Sequence, residues 1–310
     1  MAQANTMKVK KTKENEVSAA RKSKHGTALT VFFSVLSFFW ILPILIVVLN
    51  SFKRKAYIFK NPFGISNVSL SQGFDRWRAG IHKTFVGLTN YATAIKKTNF
   101  FRCFGYSVFI TVVSVALIVL LCSMTAWYII RVKNVATKTV YLLCMFSMIV
   151  PFQMVMFTLS KFANILHLSN PVGICIVYLG FGAGLAIFMF TGFVKQIPIE
   201  LEEAAMIDGA TPVQCYFQVI LPVMKPTLIT VSILDAMWIW NDYLLPSLVL
   251  NVNKYKTIQI AVQYLKQSHG QVDWGAMMAV LVLAIIPIVI FYMAVQKYII
   301  EGVVAGAVKG

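Results

Sequence analysis

The chain has 310 residues, 58% of them hydrophobic and 13% charged, with 28 Lys and Arg against 11 Asp and Glu for a formal charge of +17. This is more apolar chain than a soluble core needs, so it reads as a polytopic membrane protein. A nucleic-acid binder is excluded, because the basic residues are not gathered on any soluble fold; anionic lipid is the partner that such a charge fits.

Residues 1–27 form a basic tail with Lys8, Lys10, Lys11, Lys13, Arg21, Lys22 and Lys24 among few apolar side chains, the pattern of a disordered segment. The apolar run after it carries no small-residue cleavage site and reads as a retained helix. Six runs reach the length of roughly 20 residues that a hydrocarbon core requires. They lie at Ala28 to Leu49, Arg102 to Arg131, Lys138 to Lys161, Val172 to Val194, Pro226 to Leu250 and Gly275 to Gln296. Lipid offers no water to backbone groups, so each is expected to be helical. The fold class is therefore all-α, with six transmembrane helices within 28–300 and a short tail at 301–310.

Charge bias does not orient the chain, since Lys and Arg divide 14 to 14 between the two sides. The segment 50–102 is long enough to weaken the rule, and the short segments place both termini in the cytoplasm. Within that outer segment, Asn90 to Phe104 alternates apolar and basic residues, as an amphipathic surface helix or an irregular loop would. Gly180, Gly182 and Gly184 lack the strand and the Lys-Ser/Thr of a phosphate loop and read as a face for close helix packing. No GxxxxGK[ST] occurs, so ATP and Mg are expected on a partner and no cofactor on this chain.

Between the fourth and fifth runs, 196–226 forms an acidic elbow. Pro198 suits a first helical position, and Glu200, Glu202 and Glu203 complement the positive end of that helix. Asp208-Gly209 stops it. Thr211, Pro212 and Gln214 form a capping box for a second helix that ends near Pro222. Ala204-Ala205 permits close approach of another protein, and Glu203 offers it a fixed charge.

Glu203-Ala204-Ala205, Gly209 and Val219-Ile220-Leu221-Pro222 resemble the EAA loop of ABC-importer permeases, EAA-x3-G-x9-I-x-L-P, with Val219 in place of Ile. The resemblance implies that Glu203, Ala204, Ala205, Asp208, Gly209, Leu221 and Pro222 seat in a cytoplasmic ATPase dimer. Ser51-Phe52-Lys53, Asn90-Tyr91, Trp240-Asn241-Asp242-Tyr243 and Asp273-Trp274-Gly275 resemble landmarks of the carbohydrate branch. The last ten residues look like the ending of the maltose-type second permease. The implied partners are a homologous second permease and an extracytoplasmic sugar-binding protein in the cell membrane.

In the fifth run, Asp235 and Asp242 fall two turns apart on one face at about 100° per residue, with Trp238 beside them. Ionisable groups in a span cost about 2.5–3.5 kcal/mol and tend to face a cavity or a partner. Asp235, Trp238, Trp240, Asn241, Asp242 and Tyr243 thus read as a sugar path, hydroxyls meeting carboxylates and amides while ring faces stack, or equally as an interface to the second permease. Gln153 beside Pro151 is a further path candidate, or an amide bonding a carbonyl freed at a kink. Outside, Lys256, Thr257, Gln259, Gln263 and Tyr264 are candidate contacts for the binding protein. The four histidines are dispersed, the methionines read as packing, and no metal site is expected. Cys103, Cys122, Cys144, Cys175 and Cys215 read as small buried hydrophobes. Three alternatives stay open: a gradient-driven carrier using the Asp pair, a membrane enzyme, and an importer of another solute such as glycerol phosphate.

Overall fold

A computed structural model describes residues 26–267 and 272–307. Nearly all of the expected basic tail, and the end of the chain from 308, lie outside the described residues. Every regular element among the described residues is helical, apart from one isolated bridge between Lys53 and Phe85. The chain divides between Gly87 and Leu88 into two compact units.

The first unit holds α1 (Gly26–Ser51), α2 (Lys55–Lys60) and α3 (Phe74–Thr84). Ser51-Phe52-Lys53 folds the segment after α1 back on itself. The fully buried Lys53 ammonium donates to the carbonyls of Asn61 at 2.9 Å and Pro62 at 3.0 Å, and Asn50 donates to the same Pro62 carbonyl at 2.9 Å. Burial lowers the Lys53 pKa from its ordinary value.

The second unit begins with α4 (Thr89–Thr98), α5 (Phe100–Arg131), α6 (Val135–Ile149), α7 (Phe152–Ile165) and α8 (Pro171–Val194). It continues through α9 (Glu200–Ile207), α10 (Pro212–Val223), α11 (Lys225–Asn241), α12 (Leu244–Val249), α13 (Ile258–Gln267) and α14 (Trp274–Ala307). The main core lies where α5 runs along α8, around Ile118, Ile174, Tyr178, Ala186 and Phe190. A second cluster gathers α4, the start of α5, α13 and α14 around Ala94, Phe100, Ile258, Ala276 and Val280.

Among the described residues, four helices are long and apolar enough to cross a membrane, and six spans result only if each of two bent pairs is counted as one. The third expected span is in fact α6 and α7, meeting at 109°. Pro151 has extended backbone and starts α7, since a proline interior to a helix removes a donor and clashes with the preceding turn. The fifth span stops at Asn241, eight residues before the last residue of α12, Val249, which lies at the expected end. The second elbow helix ends at Val223, next to the expected Pro222, after passing through a π turn, Tyr216–Ile220. The last helix runs on to Ala307. Asn90 to Phe104 is α4 and the start of α5, separated by a left-handed Asn99, and the apolar face of α4 packs on α14 and α13.

The glycines of α8 differ in what they meet. A Cβ at Gly184 would stand 2.9 Å from the backbone oxygen of Cys144 on α6, one at Gly182 would press the flexible tip of Ile118, and one at Gly180 would meet nothing within 4 Å. Gly184→Ala is expected to be less stable than Gly180→Ala by about 1–3 kcal/mol, the usual cost of overpacking, when thermal unfolding is compared in one detergent.

Candidate functional site

The elbow is built as its sequence signals dictate. α9 ends at Asp208, and Gly209 follows at φ +89°, a left-handed backbone that lets the Ala210 amide return to the Ala205 carbonyl at 2.9 Å. Nothing crowds the Gly209 Cα, so the glycine serves conformation alone. Thr211 then caps α10, its hydroxyl accepting from the Gln214 amide while the Gln214 side chain accepts from the Thr211 amide. Glu203, Ala204, Asp208 and Pro222 are exposed, whereas Ala205 and Leu221 lean on the core. Beside them stand uncovered apolar side chains, with Ile207 85% exposed and Val213 63% exposed.

Contacts that sequence reasoning did not foresee hold this elbow in place. Glu202 is 1% exposed and accepts from Arg131 Nε at 2.7 Å and Trp127 Nε1 at 3.0 Å. Arg131 also donates to the Ile197 carbonyl at 3.0 Å. One residue of the acidic helix is thereby tied to the last turn of α5, leaving its neighbour Glu203 outward. Glu202 is therefore an anchor more than a partner of the helix dipole. Tyr216, thrown inward by the π turn, adds a 2.6 Å hydrogen bond to Ser123 and packs against Trp127. An arginine ending one span and an acid on the next elbow were the available signal; neither is near the other in sequence.

The polar stripe is split. Asp235 is buried on α11, and its Oδ2 has no hydrogen-bond partner among the described residues. Asp242 has left the helix, so the two acids do not share its face. Its Oδ1 accepts from the Leu244 amide at 2.9 Å, which starts α12, and its Oδ2 accepts from the Tyr178 hydroxyl at 3.0 Å. Tyr178, also passed over in the sequence because it sits in an apolar run, meets the Trp238 ring edge to face at 5.5 Å. Trp240 faces an apolar groove of about 500 Å³ between α5, α11 and α14, and its indole nitrogen is buried without a partner among the described residues. Asn241 and Tyr243 are exposed. Gln153 is exposed in the first turn of α7, and no hydrogen bond joins it to the backbone broken at Pro151.

Of the outer candidates, Thr257 is buried, and Gln259 donates to the Trp240 carbonyl at 3.3 Å, so neither is free surface. Lys256 lies 4.2 Å over the ring of Tyr264, which is exposed, and Gln263 is half-buried.

Residues 118–304 match the family described as binding-protein-dependent transport system inner membrane component. The chain belongs to this family. It is a multi-pass membrane permease subunit and not a catalytic enzyme, which sets aside the gradient-driven and enzymatic alternatives. It is 38% identical to the probable starch degradation products transport system permease protein AmyC of Thermoanaerobacterium thermosulfurigenes, over 91% of this chain and 96% of that one. It is 32% identical to the multiple sugar-binding transport system permease protein MsmG of Streptococcus mutans, over 87% and 92% respectively. A solved bacterial ABC transporter involved in the import of the acidic polysaccharide alginate shares the fold, with TM-score 0.67 and 23% identity over 88% of this chain and 95% of that one.

Glu202→Ala strands a largely buried guanidinium and is expected to cost about 3 kcal/mol, the lower end for breaking a buried pair. Glu203→Ala, on the open side of the same helix, should leave the unfolding free energy of the permease unchanged within about 0.5 kcal/mol. Equal losses in the two variants would count against Glu202 as the anchor.

Proposed function

We propose that this permease subunit imports a sugar or oligosaccharide together with a homologous second permease, a dimer of ATPase subunits and an extracytoplasmic sugar-binding protein. The observation that carries the reading is the elbow: an acidic and apolar face presented outward by a helix pair whose inner side is pinned to α5. Glu203, Ala204, Ala205, Asp208, Gly209, Leu221 and Pro222 form the contact with the ATPase, which holds the ATP and Mg. This chain supplies no phosphate cradle of its own. The contact requires the elbow, and with it both termini, to face the cytoplasm.

A carbohydrate cargo is supported by relatives named for starch degradation products, multiple sugars and arabinooligosaccharides. Asp235, Trp238, Trp240, Asn241, Asp242 and Tyr243, with Gln153, remain the candidates for the path. Among them the Tyr178-bound Asp242 at the end of α11 offers a rigid polar rim rather than a group inside the bundle. ATP-driven closure of the partner dimer displaces the elbow, and the Glu202–Arg131 pair passes the displacement to α5 as a shift between inward-open and outward-open populations.

Glu203→Lys reverses the outward charge, and Gly209→Pro demands φ near −65° where the elbow has +89°. Both should insert in the membrane yet lower ATPase co-purification and transport together, affinity for the ATPase falling about tenfold for each 1.4 kcal/mol of binding free energy removed. Undiminished recovery of the ATPase with both variants would refute the assignment. A sugar panel titrated against the purified external receptor tests the cargo.

A further inference from the structure

At the elbow end of α5, an open groove of about 510 Å³ lies between the last turn of α5, the first turns of α6 and the end of α8. Lys133, Lys138 and Lys195 line it, and no carboxylate stands among its described lining residues. All three lysines are exposed, and none makes an ion pair or a side-chain hydrogen bond among the described residues. Arg131 is not one of this set, because it is turned inward to Glu202 and to the Ile197 carbonyl.

Fixed backbone gathers the lysines. The bond from Arg131 to Ile197 ties the end of α5 to the segment just after Lys195. In the turn between α5 and α6, the Asn134 side chain accepts from the Thr137 amide at 2.8 Å while the Thr137 hydroxyl donates to the Val132 carbonyl at 2.7 Å. The N-terminus of α6, a helix of 15 residues, forms part of the wall, so its dipole adds to the lysine charges.

The depth suits a lipid headgroup. α5 has 32 residues, about 48 Å at ~1.5 Å per residue against roughly 30 Å of hydrocarbon, so both of its ends reach the headgroup layers. Tyr128 is exposed near this end and Tyr141 lines the groove, residues of the type that anchors at that boundary. From the groove a single stripe continues along α6. Lys138, Leu142, Phe146 and Ile149 share one helix face, and the three apolar side chains are 56%, 64% and 75% exposed. Lys138 to Ile149 measures about 16 Å at ~1.5 Å per residue, half of the hydrocarbon thickness.

We propose that this groove and stripe bind an anionic phospholipid of the cytoplasmic leaflet, its phosphate held by Lys133, Lys138 and Lys195 and an acyl chain laid along Leu142, Phe146 and Ile149. The site goes beyond the importer reading and takes from it only the side of the membrane, since groove and elbow share one end of α5. A protein partner fits less well, because it would have to bring acids to the headgroup layer and also cover the stripe in the hydrocarbon. An anionic lipid meets both demands in one molecule. A headgroup bound here bridges α5, α6 and α8 at the end that carries the elbow anchor.

The test counts lipids on the whole transporter, purified in detergent with its partner subunits, by native mass spectrometry. It is titrated with dioleoylphosphatidylglycerol or with dioleoylphosphatidylcholine. Lys133→Gln, Lys138→Gln and Lys195→Gln together should weaken one phosphatidylglycerol site on the order of a hundredfold, and each alone about fivefold. Binding of phosphatidylcholine should not change, and the triple replacement by arginine should keep the site. Equal phosphatidylglycerol affinity in the wild type and the triple Gln variant overturns the site. Equal affinity of the wild type for soluble glycerol phosphate assigns the lysines to a free phosphate and overturns the lipid. Loss of the ATPase or the second permease from the triple Gln variant, with the lipid count unchanged, assigns the groove to a protein and also overturns it. These three outcomes leave the importer reading standing. Labelling of Val135→Cys from outside intact cells by an impermeant maleimide would instead overturn the leaflet assignment together with the cytoplasmic elbow on which that reading depends.

Discussion

The buried contact of Glu202 with Arg131 and Trp127 is the interaction on which the rest of the arrangement depends. Two charges and an indole N–H are withdrawn from water at the junction of α5 and the elbow, and each finds its partner there. A pair of this kind adds little net stability, since desolvation offsets most of the attraction, but it tolerates one geometry only. The elbow helix is short, eight residues in α9, and could not hold an orientation by its own packing. The ion pair, with Tyr216 on Ser123, supplies that orientation. It also decides which face of α9 remains outward.

Breaks in the helices follow from the same economy of polar groups. At Pro151 the chain turns by 109° instead of crossing straight, and at Asp242 a carboxylate caps a new short helix while accepting from a tyrosine hydroxyl. Each break satisfies backbone groups locally, as non-helical backbone at membrane depth must. The π turn before Pro222 works likewise, keeping α10 continuous where the proline has no N–H to give. Polar side chains in the spans thus serve backbone first. Asn50, Ser114, Asp235 and the Trp240 indole are the exceptions among the described residues, each retaining a buried polar atom with no partner.

The two ends of α5 carry opposite electrostatic tasks. Toward the elbow, acids face outward while their buried neighbour Glu202 is neutralised by Arg131. Toward the other end, lysines and an arginine surround a recess of about 350 Å³ with a single acid among the described residues of its wall. A rigid helix joins them, packed along α8 for most of its length. Side-chain placement at one end is therefore mechanically linked to the other without any long-range field, which salt would screen over about 8–10 Å.

How much was legible without coordinates depends on the range of the forces concerned. The four continuous spans, the elbow with its capping box and the glycine at Gly209 are set by neighbours within a few residues, through hydropathy, capping and backbone sterics, and the sequence alone determined them. So did the motif that carries the family. The course of the third and fifth spans was not legible, because Pro151 and Asp242 are compatible with a kink or a break, and only packing selects. Nor was the role of Glu202 as against Glu203, adjacent acids that differ solely in which one meets Arg131, 71 residues away. The partnership of Tyr178 with Asp242 and the gathering of Lys97 with Lys254 and Lys256 are of the same sort. Contacts between residues remote in the chain are decided by how helices pack, and helix packing is a property of the folded whole.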